Sequence, residues 1–165
     1  MSTDIDKMLA EAFEYTEDGN YSDALKLYDL ALKKEPRNIN AIIDKGATLQ
    51  NMGRLKLAIR WYDKALAISP DNIDAILNKG ATLHSDQKYL EAIECYDAAL
   101  RIDKKCAMAL AYKGLSLGEM GQLQDAIKHF KKALSIDQHY DLANISKEIA
   151  QELLKSIKEK KTKTQ

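Results

Sequence analysis

Residues 39–72 read INAIIDKGATLQNMGRLKLAIRWYDKALAISPDN, and residues 73–106 read IDAILNKGATLHSDQKYLEAIECYDAALRIDKKC. Laid one over the other, 15 of the 34 positions are identical, including the run Lys45 to Leu49 against Lys79 to Leu83. Unrelated stretches of ordinary composition would agree at about two positions. A fixed period of this kind decides the fold before any local signal is weighed. The same frame runs forward through Gly114, Leu117, Ala126, Phe130, Ala133 and Leu134. It runs backward through Tyr15, Gly19, Ala24, Tyr28, Ala31, Leu32 and Pro36. The chain therefore divides into copies at 5–38, 39–72, 73–106 and 107–140, with 141–165 remaining.

Within one copy the apolar spacing predicts two helices. Ile42, Leu49 and Met52 line the first, and Ala58, Ile59, Tyr62, Ala65 and Leu66 recur at helical intervals along the second. Gly19, Gly53 and Gly121 stand where the first helix must stop. Pro36 and Pro70 close the second helix, and Asn38 and Asn72 suit the N-caps that follow. Gln87 occupies the turn slot that glycine fills elsewhere, so it must bear a positive φ or reshape the turn. Gly46, Gly80 and Gly114 lie inside predicted helices, where glycine costs about 1 kcal/mol against alanine. Close approach of a bulky ring (Tyr62, Tyr96, Phe130) is the expected reason.

These residues carry a resemblance. The mid-helix glycines, the residues three further on (Tyr15, Leu49, Leu83, Leu117), the alanines opening the second helix (Ala24, Ala58, Ala92, Ala126), the rings after them, and Pro36 and Pro70 are similar to those of the tetratricopeptide repeat (TPR) proteins. Ala12, Gln87, Lys104 and Gln138 depart from that pattern. The resemblance implies an all-α, right-handed superhelical solenoid of four helix-turn-helix repeats, forming one domain with a C-terminal capping helix. It also implies a protein-interaction role, although repeats of this kind serve many unrelated partners.

The ends of the array are read from the row that must touch the preceding copy. That row is small in the later copies: Ala41 and Thr48, Ala75 and Thr82, Ala109 and Ser116. In the first copy it is Lys7 and Glu14, which suit water, so the stack is expected to begin there. Ala143 and Ala150 keep the row small, predicting a capping helix over 141–158 whose polar outer face carries Asn144, Lys147, Glu148 and Gln151. The basic tail, 159–165, is expected to be a solvated helix end, with a contact to acidic lipid or RNA as the alternative.

Composition narrows the function. Lysine and arginine number 25 against 25 aspartates and glutamates, so no overall charge draws the chain to nucleic acid or an anionic membrane. No apolar run is long enough to span a bilayer, and the first residues lack the features of a signal peptide. Cys95 and Cys106 are isolated, which points to a reducing, cytoplasmic setting. No motif for nucleophilic, phosphate or metal chemistry occurs, and His84, His129 and His139 fall at different helical phases. The expectation is a non-enzymatic module without cofactor or metal.

In the family that the chain resembles, the concave wall of first helices usually binds extended or helical peptide segments. Here the corresponding row is Leu9 and Phe13, Ile43 and Ala47, Leu77 and Ala81, Ala111 and Leu115, then Ile145 and Ile149. Two readings stand: curvature buries this stripe between helices, or it forms a groove for apolar side chains. Asn78 in the stripe could bond a bound backbone or a neighbouring helix, and His84, Tyr112 and Gln50 lie beside it. Asp6, Glu17, Asp44, Asp74 and Glu119 surround it, against Arg37 and Lys105 at the turns. A peptide with apolar anchors and flanking basic residues is the expected partner. Family members that clamp chaperone C-terminal carboxylates use a Lys, Asn, Asn, Lys, Arg set, of which only Asn78 is present, so that ligand is disfavoured. A second candidate is an outer face of Leu27, Leu30, Leu57 and Trp61, either a self-association surface giving a homo-oligomeric scaffold or a ring lying over the adjacent helix.

Overall fold

The computed structural model describes residues 4–163. Among them are nine α-helices and no strand: α1 (Asp4–Glu17), α2 (Tyr21–Lys34), α3 (Ile39–Asn51), α4 (Leu55–Ile68), α5 (Ile73–Ser85), α6 (Tyr89–Ile102), α7 (Ala107–Glu119), α8 (Leu123–Ile136) and α9 (Asp141–Lys163). The chain divides into two compact units, Met1–Asp86 and Gln87–Gln165. The division falls inside the third copy of the period, at the turn after α5. There Gln87 takes φ 60°, whereas the other three such turns place glycine at φ 73–77°. The chain accepts the strained backbone instead of changing the turn.

In the first unit each helix packs on the next, and α1, α3 and α5 also touch in succession. The predicted caps form: the Asn38 and Asn72 side chains accept hydrogen bonds from the backbone N–H of Ala41 (3.0 Å) and Ala75 (2.8 Å). A Cβ placed on Gly46 would lie 2.7 Å from the Tyr62 ring, closer than carbon atoms approach, so the mid-helix glycine answers a packing need. Tyr62 is fully buried with Ala41, Ile42, Ala58 and Ala65. The Thr48 hydroxyl meets that of Thr16 at 2.9 Å, and Thr82 donates to Gln50 Oε1 at 2.6 Å, so the small row between first helices is stitched by hydroxyls. Lys7 and Glu14, at the equivalent positions of α1, are exposed.

The second unit repeats the packing of each helix on the next. A Cβ on Gly114 would lie 2.6 Å from the Phe130 ring, which is buried among Leu110, Leu117, Ala126 and Ile127. Ala143 and Ala150 bury the inner face of α9 against that core. The helix runs to Lys163, past its expected end near 158. Of the expected solvated tail, Thr164 and Gln165 lie outside the described residues.

One feature recurs at the sequence period. Lys45 pairs with Asp29, Lys79 with Asp63 at 2.6 Å, and Lys113 with Asp97 at 2.6 Å. Each pair ties the second helix of one copy to the first helix of the next. The lysines lie deeper than their partners. Ion pairs whose carboxylate stays exposed contribute little singly.

Candidate functional site

The period brings equivalent positions of α1, α3 and α5 to one wall, where they enclose a cleft of about 630 Å³. Its lining consists of Asp6, Leu9, Ala10, Phe13 and Glu14 from α1, Asn40, Ile43 and Asp44 from α3, and Asp74 and Asn78 from α5. The volume falls in the range of ordinary ligand sites. Phe13 is 54% exposed and forms the apolar edge, Leu9 is half-buried, and Ile43 is buried at the floor. Four carboxylates surround these side chains, and none of the described lining residues is basic.

Asp44 is the deepest carboxylate. Burial raises its pKa from the ordinary value. Its charge adds to the burial that pushes the Tyr28 and Tyr62 hydroxyls up. A carboxyl raised in the folded state favours folding most fully below its unfolded pKa and loses that contribution as pH rises through the folded value. Asp44→Asn is therefore expected to raise the thermal midpoint at neutral pH, with the gain disappearing below about pH 4. Melting curves across pH would check it.

The expected apolar stripe is not continuous. Leu9, Phe13, Ile43, Asp44, Asp74 and Asn78 come together in the cleft as the spacing suggested. Ile43, Leu77 and Ala111 are buried, which removes them as open anchors along the row. Ala47, Ala81 and His84 are half-buried. In the second unit Tyr112 packs its ring on Tyr96 with centroids 5.8 Å apart. Tyr112 also contacts Tyr140, whose hydroxyl burial pushes up to about 12. Leu115, Ile149 and Leu153 line a separate apolar cleft of about 330 Å³ with Gly114, Gly118 and Phe130. Ile145 and Ile149 are exposed on α9. Sequence reasoning passed over Ala10 and Asn40 and assigned Glu14 only to the row facing water, although their helical phase beside Leu9, Phe13 and Ile43 would have placed them on the same wall.

On the outer face the Trp61 ring takes the second of its two expected arrangements, lying over the adjacent helix. Trp61 lies between two cations, with Lys45 Nζ 4.1 Å and Lys64 Nζ 4.6 Å from its ring centroid. Lys45 belongs to α3, so the ring sits against the adjacent first helix. Leu27 packs beside Tyr28, while Leu30 and Leu57 stay exposed. Among the described residues no cluster of His, Cys, Asp and Glu could hold a metal, and no helix is long and apolar enough to cross a membrane.

A repeated pair of packed helices, with the same glycine-ring contact at Gly46 and Gly114, defines a helical-repeat protein. Residues 71–139 match a family model described as tetratricopeptide repeat, and residues 51–87 match one described as TPR repeat. The chain belongs to the tetratricopeptide repeat family. No curated protein matches it. Among solved structures it is similar to MamA 41-end from Desulfovibrio magneticus RS-1, at 23% identity and a TM-score of 0.71 over 96% of each chain. It is also similar to YrrB, described as a TPR protein with an unusual peptide-binding site, at 20% identity and a TM-score of 0.74 over 88% of this chain and 75% of that one. The first TPR of Spaghetti (RPAP3), bound to the HSP90 peptide SRMEEVD, is 18% identical with a TM-score of 0.66 over 70% of this chain and 92% of that one. At these identities the likeness is one of fold.

Proposed function

We propose that the chain is a non-enzymatic interaction module whose first unit binds a peptide or helix with apolar anchors between lysines or arginines. The observation that carries this is the cleft itself: Leu9, Phe13 and Ile43 set among Asp6, Glu14, Asp44 and Asp74. An apolar patch ringed by one sign of charge selects a partner by both properties, and the charge chiefly sets specificity. That YrrB and the RPAP3 repeat are described with peptide sites supports the class of ligand. Helix boundaries support the division into 5–38, 39–72, 73–106 and 107–140 followed by the helix from Asp141.

The acidic lining argues against a chaperone-tail ligand, because a carboxylate terminus would meet Asp44 and Asp74 where a clamp needs cations. In fluorescence anisotropy, a peptide carrying leucines among lysines is expected to bind while SRMEEVD does not. Phe13→Ala and Asp74→Lys, both at exposed positions, should each weaken that binding by roughly tenfold or more. Equal binding of the acidic peptide, or indifference to Asp74→Lys, would overturn the assignment. A self-associating scaffold through Trp61 is the weaker reading, since the ring is already engaged by Lys45 and Lys64.

A further inference from the structure

We propose that the acidic cleft is occupied by the C-terminal half of α9 from a second copy of this chain. The proposal rests on the peptide-binding reading of the cleft and names its partner. Its first support is an apolar row on α9 at intervals of one turn. Ile145, Ile149, Leu153 and Ile157 are 57%, 53%, 50% and 44% exposed, although Ala143 and Ala150 hold the helix to its own unit and Ile149 and Leu153 also edge the cleft beside Leu115. Such a row is more apolar surface than a solvated cap requires.

Charge supplies the second support. From Leu153 to Lys163 the sequence holds Lys155, Lys158, Lys160, Lys161 and Lys163 against Glu159, a net of +4 from five less one. Helix α1, which supplies half of the cleft's lining residues, holds Asp4, Asp6, Glu11, Glu14 and Glu17 against Lys7, a net of −4 by the same arithmetic. The whole chain is neutral, so these excesses are a segregation of charge toward its two ends. Leucine and isoleucine among lysines are also the chemistry that the cleft selects. Phe13 offers the matching half-exposed apolar edge.

Each copy presents one cleft and one helix end, so the contact is heterologous. Assembly then continues head to tail until a ring closes or the ends run out. Opposed charges at exposed sites make it weaker as salt rises.

Sedimentation velocity of the full chain, over a wide concentration series at low and high salt, tests this. Average mass is expected to rise with concentration and to fall back with salt. A cleft variant, Phe13→Ala with Asp74→Lys, and an end variant, Leu153→Glu with Ile157→Glu, should each associate at least roughly tenfold more weakly. Mixed in equal amounts, the two variants should pair once and stop, because only one intact cleft and one intact end remain. Lys155→Glu with Lys158→Glu, which leaves the apolar row in place, guards against a fold defect in the end variant and should weaken association in the same direction. Wild type that stays monomeric throughout would overturn the proposal. So would a cleft variant that still assembles, which would mean α9 pairing with α9. Anisotropy with two labelled peptides, residues 149–165 and the unrelated leucine–lysine sequence, separates the layers. If only the unrelated peptide binds, the cleft reading stands and self-docking falls; if neither binds, both fall.

Discussion

Phe130→Ala is expected to lower stability by about 3–5 kcal/mol, measured by denaturant unfolding, because it removes a large buried ring from a closely packed core. Phe130 is only 2% exposed and is surrounded by side chains of α7 and α8. Its position is coupled to Gly114, where any Cβ would lie within 3.0 Å of the ring. Gly114→Ala alone gains about 1 kcal/mol of helix propensity but forces overpacking that costs about 1–3 kcal/mol, so a net loss is expected. In a Phe130→Leu background the shorter side chain frees that space, and the same alanine should then stabilise. A change of sign between backgrounds is what distinguishes a steric need for glycine from a flexible one. If Gly114→Ala stabilises the native background, close approach is not why the glycine is there.

Thr48→Glu is expected to be of similar size, about 3–5 kcal/mol at neutral pH. Thr48 is fully buried, and its hydroxyl is shared with Thr16 and with the Asp44 carbonyl. A glutamate there would place an unpaired carboxylate between first helices, close to the desolvated Asp44. Its pKa would be raised in the folded state, so the loss should shrink as pH falls toward the unfolded value of about 4.3 and grow as pH rises. Glutamate is native at the equivalent position of the first copy, where Glu14 is exposed. Glu14→Thr should therefore change stability by no more than about 0.5 kcal/mol. Equal effects at the two positions would mean that the row does not pack between copies.

The contrast between Glu14 and Thr48 shows how much the sequence discloses. Positions related by the period share a helix face, so a change from small to charged residues can be read as the loss of a neighbour. Caps were legible for the same local reason, since an Asn after a closing Pro satisfies backbone donors only three residues away. The fit of Gly46 beneath Tyr62 was legible too, because a glycine in a helix has a cost that only close packing explains. Gln87 confirmed its turn slot through a positive φ. The candidate site was legible only in part. Spacing aligned Leu9, Ile43 and Leu77 on one face but not their depth, and Ile43 and Leu77 proved buried while Phe13 stayed open. For Trp61 the sequence left two readings, a self-association anchor or a ring over the adjacent helix, and the Lys45 contact fits the second.

The 34-residue repetition and its helical spacing determined, without coordinates, that this is an all-α repeat chain and which residues face inward. Only the tertiary structure decided which inward residues remain open, where the acidic cleft lies, and that lysines at a fixed offset reach back to the preceding helix. Periodicity is a property of single helices and reports direction around an axis. Depth depends on how near neighbouring helices approach and at what angle, which is set by the summed packing of side chains far apart in the chain.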